Sequence, residues 1–138
     1  MRRLVLLPVL ALLTAGCGFQ DLLFQPVRQE ALASETAGLV PTWVKQENLP
    51  VEAVPGAKLF AVAGCTACHT YLGAGGANLG APDLTAEGLR DRGIDFQIRH
   101  LKCPSCVNAG SPMPKFASLG DARLNDLAVF LEASKGMH

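Results

Sequence analysis

The run Cys65-Thr66-Ala67-Cys68-His69 constrains this chain more than any other part of it. Two thiols separated by two residues, with an imidazole directly after the second, form the attachment pattern for a c-type haem, and each position has a separate duty. The thiols add across the two vinyl groups and anchor the macrocycle through thioethers. Two intervening residues suit one helical turn, which brings both sulfurs to vinyl spacing and turns the adjacent imidazole under the iron as proximal ligand. A redox dithiol would sit in a βαβ pattern, and a zinc site would need two further ligands within tetrahedral reach. Neither context surrounds Cys65, so the expectation is a fold built around one covalently held haem c.

The first residues point to export. Arg2 and Arg3 precede an apolar run over residues 4–13, and small residues follow to Gly16. About ten apolar residues are too few for a permanent helix across ~30 Å of hydrocarbon, so residues 1–16 read as a cleaved signal peptide. Thr14-Ala15-Gly16-Cys17 resembles a lipobox, with its leucine, Leu13, one place earlier than usual. A diacylated Cys17 carries two chains, enough for stable anchoring to a bacterial membrane with the remainder on the periplasmic side. Plain cleavage with Cys17 as a passive thiol is the alternative. Of five cysteines, one lipid site and two thioethers leave Cys103 and Cys106, an even remainder suited to an exported chain.

A length of 138 residues supports one domain. Basic and acidic residues number 12 each, and without Arg2 and Arg3 the balance is 10 against 12. A net of −2 excludes a generic nucleic-acid binder.

Residues 17–55 hold Pro26, Pro41, Pro50 and Pro55 among acidic side chains and read as a tether, with a short helix over Val27 to Ala37 because proline breaks every longer periodic pattern. The apolar residues Leu22, Leu23, Phe24, Leu39, Val40, Trp43 and Val44 exceed what a spacer needs, which suggests docking on the domain or on a partner. The haem domain is placed at 56–138. Apolar spacing predicts a helix from Gly56 to Cys68 that delivers both haem cysteines from its last turn. The glycine-rich stretch 71–80 is expected to lack regular structure and to pass close to the porphyrin. Short helices are predicted over Ala86 to Arg92 and Asp95 to Leu101. A terminal helix is capped by Asp121 and carries the stripe Leu124, Leu127, Ala128 and Leu131. No strand pattern appears.

From Gly56 to about Lys135 the chain resembles the class I cytochrome c family, which implies an all-α fold of helices packed around one haem. In that family a glycine and an aromatic on the first helix meet a leucine and an aromatic on the last, and Gly56, Phe60, Leu127 and Phe130 match those places. The resemblance also implies that the Pro82 carbonyl receives the proximal imidazole's hydrogen bond, since Pro82-Asp83-Leu84 matches the family's Gly-Pro-x-Leu motif with Ala81 in place of the glycine. Gly110-Ser111-Pro112-Met113-Pro114-Lys115-Phe116 is similar to the family's methionine loop, making Met113 the expected sixth ligand. Met137 and His100 are its rivals, with His100 read first as a helix-end residue bonding a carbonyl or a haem propionate. Cys103 and Cys106, an addition to the family pattern, read first as a disulfide in the oxidising compartment. A redox-active dithiol, or a metal pair completed by His100, is the alternative.

Residues 90–115 carry five bases against two acids, whereas residues 17–56 carry two bases against five acids. The basic stretch borders the methionine loop and suits docking to an acidic partner that weakens with salt. With protein ligands on both axial positions, the expected function is a membrane-anchored carrier of single electrons between respiratory or photosynthetic partners: a cytochrome-reducing complex, a terminal oxidase or a dehydrogenase. No catalysis is implied. Alternatives are a fixed haem subunit of a larger complex, and a haem enzyme or sensor with a displaceable Met113.

Overall fold

The computed structural model describes residues 33–136. The signal segment, Cys17 and Met137 lie outside those residues, as does most of the helix expected over Val27 to Ala37. The described part begins in helix α1, helical through residues 33–46. A 3-10 turn at Val51–Ala53 leads into α2 (Val54–Val62), and a hairpin of β1 (Thr70–Tyr71) and β2 (Ala74–Gly75) follows. After a 3-10 turn at Glu87–Arg90 come α3 (Ile94–Lys102), the single turn α4 (Pro104–Val107), a 3-10 turn at Ala117–Leu119 and α5 (Asp121–Ala133). The architecture is the small all-α one expected, with the hairpin as its only sheet among the described residues.

Helix α1 runs through Pro41, where a break was expected. Proline there removes one helical hydrogen bond, at a cost of about 3 kcal/mol. What offsets it is the burial of Thr36, Val40, Trp43 and Glu47, which recur every three or four residues and form one face. Trp43 is 2% exposed, with its ring 4.9 Å from Tyr71 and 6.2 Å from Phe60. Phe130 completes the cluster at 5.4 Å from Phe60 and 4.9 Å from Tyr71. Such tilted aromatic pairs add to the stabilisation from area burial alone. Val40, Trp43 and Leu49 are therefore core residues, and of the two roles open to the apolar part of the 17–55 segment, docking on the domain is the one these three take.

Helix α2 ends at Val62 and does not reach Cys68. Gly64, at φ 88°, takes the left-handed conformation that stops a helix and redirects the chain, so the haem cysteines sit on a separate 3-10 turn, Cys65–Ala67. The stretch after it is also more regular than expected. Thr70 pairs with Gly75 and Tyr71 with Ala74, and the two-residue loop between the strands has positive φ at both Leu72 and Gly73, as a right-twisted hairpin requires. The helix predicted over Ala86 to Arg92 is a 3-10 turn that Asp91 ends at φ 49°. In α5 the predicted stripe of Leu124, Leu127, Ala128 and Leu131 is buried, and Phe130 with it. Asp121 does not cap that helix: Gly120 holds the cap position, and the Asp121 carboxylate instead meets Lys102 Nζ at 2.7 Å.

Candidate haem site

A cavity of about 600 Å³ opens between the 65–69 turn, the end of α3 and the methionine loop. Its walls bring Cys65, Cys68, His69, Pro82 and Met113 together from three separate stretches of chain. Phe60, Leu101, Leu127 and Leu131 supply apolar floor. The size and lining suit a large planar apolar ligand.

The 65–69 turn is held by its own loop. Gly76 N–H donates to Thr66 O at 2.8 Å, Asn78 N–H to Cys68 O at 3.1 Å, and the Asn78 side chain to Ala67 O at 2.5 Å. A Cβ on Gly75 would overlap the His69 carbonyl oxygen, and one on Gly76 would lie 2.9 Å from Ala67 O. These glycines therefore serve close approach to the motif's own backbone, where approach to the porphyrin was expected. Burial pushes the Cys65 thiol up to about 12, against a backbone hydrogen bond that lowers it, so Cys65 is a neutral thiol; Cys68 is half-buried.

His69 Nδ1 lies 2.8 Å from Pro82 O. A carbonyl can only accept, so Nδ1 carries the proton and Nε2 keeps its lone pair for a metal. The Pro82 loop is pinned in turn: Leu84 N–H donates to Thr70 O at 3.0 Å, Thr70 Oγ1 to Asp83 Oδ2 at 2.5 Å, and Thr85 N–H to Asp83 Oδ1 at 2.9 Å. Burial would raise the Asp83 pKa, but the bonds from Thr70 and Thr85 outweigh it and hold the carboxyl below its usual range. Nothing in the turn needs a glycine at Ala81, because the positive φ values fall on Leu79 and Gly80.

Met113 stands half-buried in the cavity wall between Pro112 and Pro114. Its loop is tied to α3 by Phe116 N–H donating to Leu101 O at 2.9 Å. Cys103 and Cys106 form a disulfide across α4, with Cα atoms 5.3 Å apart. Among the described residues no group of His, Cys, Asp or Glu is placed to hold a metal ion. His100 also lines the cavity, and its Nδ1 is shut from solvent without a partner, so the carbonyl bond considered for it is not made. Sequence reasoning missed Glu87, 6% exposed, whose carboxylate takes Arg90 Nε at 3.3 Å and Gln97 Nε2 at 3.2 Å. Only the tertiary fold brings those three together. Asp83 was also missed as an anchor, although Asp-x-Thr is a recognisable Asx-turn pattern.

The donor set fits a covalently held haem: two free thiols, an imidazole oriented by a carbonyl and a thioether face one apolar cavity. Residues 51–131 match the family model described as cytochrome c oxidase, cbb3-type, subunit III. A curated relative, the cbb3-type cytochrome c oxidase subunit FixPc of Rhizobium leguminosarum bv. viciae, is 34% identical over 113 residues. That alignment covers 80% of this chain and 36% of the relative, so the chain spans about a third of the relative's length. No solved structure gives a significant match. The match over more than half the sequence, on a fold in which a cavity unites the haem-attachment motif with a methionine loop, shows that this chain belongs to the cbb3-type subunit III family of cytochromes c.

Proposed function

We propose that the chain carries one haem c, attached through Cys65 and Cys68 and ligated axially by His69 and Met113, and passes single electrons to a cbb3-type terminal oxidase. The observation that carries this reading is the convergence of His69, with Nδ1 engaged by Pro82 O at 2.8 Å, and Met113 on one cavity. When bound, the group supplies a one-electron ferric/ferrous couple, and thioether ligation raises its potential relative to bis-histidine ligation. The chain's part is to fix the imidazole tautomer, to keep water from the cavity with Phe60, Leu101 and Leu127, and to present Met113 from a loop that its two prolines restrict.

The chain is exported by its 1–16 signal, held at the membrane by a lipid on Cys17, and displays the packed domain on the periplasmic side. No helix among the described residues is long and apolar enough to cross a membrane. Family membership favours a second reading, in which the chain is a fixed subunit of the oxidase and not a mobile carrier.

The test is to mature the protein with haem c and mix it, reduced, with membranes holding a cbb3-type oxidase. Oxidation dependent on the oxidase is expected, and Met113→Ala should keep covalent haem while losing the near-infrared band of methionine-ligated ferric haem. Loss of covalent haem only in Cys65→Ala with Cys68→Ala is also expected. A wild-type protein without covalent haem overturns the reading. Copurification with oxidase subunits in detergent selects the fixed-subunit form.

A further inference from the structure

Resting on the haem reading, we propose that Arg90, Arg92 and His100 form the seat of the haem's two propionate carboxylates. A haem is apolar over most of its area but carries two anions on one edge, and burying an anion without a charged or hydrogen-bonded partner is strongly unfavourable. Attachment at Cys65 and Cys68 fixes the vinyl edge, so the carboxylates project from the opposite edge. The cavity must therefore hold a cationic region away from the attachment motif.

One cationic cluster lines the cavity. The charged residues that line the cavity, Glu87, Arg90 and Arg92, all come from the turn before α3, and His100 joins them from α3 itself. Glu87 is buried and fixed, taking Arg90 Nε at 3.3 Å, Arg92 Nε at 3.9 Å and Gln97 Nε2 at 3.2 Å. One carboxylate is thus shared by two guanidinium groups, each of which contacts it through Nε. Besides Nε, each planar guanidinium carries terminal N–H groups, and these are the donors it can offer to a second carboxylate. The Arg92 guanidinium is further held 4.8 Å above the Phe96 ring, so its direction is set before any anion arrives.

His100 supplies the second observation. Its ring lies 5.9 Å from Phe96, and its Nδ1 is buried without a partner among the described residues, an uncommon state for a polar atom. A carboxylate at the cavity edge meets that need after a turn of the ring. Burial and the Arg92 cation hold the imidazole below its usual pKa, with Glu87 opposing. Of these surroundings it is the Arg92 cation that favours an added anion.

Positioning residues of this kind act on the haem through its carboxylates and not through its iron. The holoprotein should show this in the propionate bending bands of its resonance Raman spectrum and in its midpoint potential. Arg92→Gln and His100→Gln should keep covalent haem and the methionine band, shift the propionate bands, and, for Arg92→Gln, lower the potential, because a cation near the haem favours the ferrous form less than before once it is removed. Arg92→Lys should restore the potential and leave the Raman shift. Lys58→Gln, an exposed cation on α2, should change neither. If Arg90→Gln, Arg92→Gln and His100→Gln all carry haem with wild-type propionate bands and potential, this proposal falls while the haem reading stands. If the wild type lacks covalent haem, the underlying reading falls first.

Discussion

Gly56 on α2 and Asp126 on α5 meet backbone to backbone: a Cβ on Gly56 would overlap the Asp126 carbonyl oxygen and lie 2.6 Å from Phe130 Cβ. Gly56→Ala must therefore push the two helices apart or distort one of them, and overpacking of this kind costs about 3 kcal/mol. The neighbouring pairs Phe60 with Phe130 and Tyr71 with Phe130 would open with it. A denaturant midpoint for the holoprotein should fall accordingly. Gly38→Ala supplies the contrast, since nothing lies within 4 Å of the added carbon in α1; it should gain about 0.5–1 kcal/mol. Equal effects from the two substitutions would contradict the crossing.

That crossing was legible through the resemblance to class I cytochromes c, which sets Gly56 and Phe60 against Leu127 and Phe130. Two walls of the cavity were named in advance, the Cys65 motif from its own pattern and the methionine loop through the same resemblance. What stayed hidden depends on tertiary context. Pro41 forbids a helix by local rules, and only the burial of Trp43 against Tyr71 and Phe60 overrides them. The break at Gly64 was misread because one glycine inside an apolar pattern does not announce its φ. Glu87 gave no signal, since an acid on a short helical stretch usually faces solvent.

Trp43 tests whether α1 belongs to the domain. At 2% exposure, its removal leaves a cavity beside the Phe60 and Tyr71 rings. Trp43→Ala should cost about 3–5 kcal/mol and broaden the Tyr71 and Phe130 ring signals in NMR spectra. A truly detached tether would show neither change. The haem should remain covalently attached, because Cys65, Cys68 and His69 lie on the other side of α2 in sequence.

Asp83 makes a pH-dependent prediction. Its carboxyl titrates below the usual range in the folded protein, because the bonds from Thr70 and Thr85 outweigh the effect of burial. A depressed carboxyl pKa means that ionisation favours the fold: the contribution is present above the ordinary value of about 4 and disappears as pH falls through the lower folded value. Asp83→Asn should therefore be less stable than wild type at neutral pH, and the difference should shrink to nothing in strong acid. Since Asp83 steadies the loop that carries Pro82, the variant should also loosen the His69 bond to Pro82 O and alter the ligand-field bands. A stability gap that grows in acid would refute the assignment.

The Cys103–Cys106 disulfide acts on the methionine loop from outside the cavity. The ring spans a sequence separation of 3, starts where α3 ends, and is followed by Val107 and Asn108, which line the cavity on the way to Met113. The loop returns to α3 through Phe116 N–H and Leu101 O, so the segment is fastened at both ends, by the ring and by that hydrogen bond. A closed loop this short removes little unfolded-state entropy, and the expected stabilisation is about 2 kcal/mol. The sharper effect falls on ligation. With the ring open, the segment presenting Met113 has more conformations to lose when the thioether is bound, so hydroxide or a lysine amine should displace it at lower pH. Cys103→Ser with Cys106→Ser is expected to lose the near-infrared methionine band earlier in an alkaline titration while keeping its haem. Wild type should yield two additional titratable thiols only after reduction. An unchanged alkaline transition would show that the Phe116 bond alone holds the loop, and two thiols titrating freely without reductant would show that the ring is not closed.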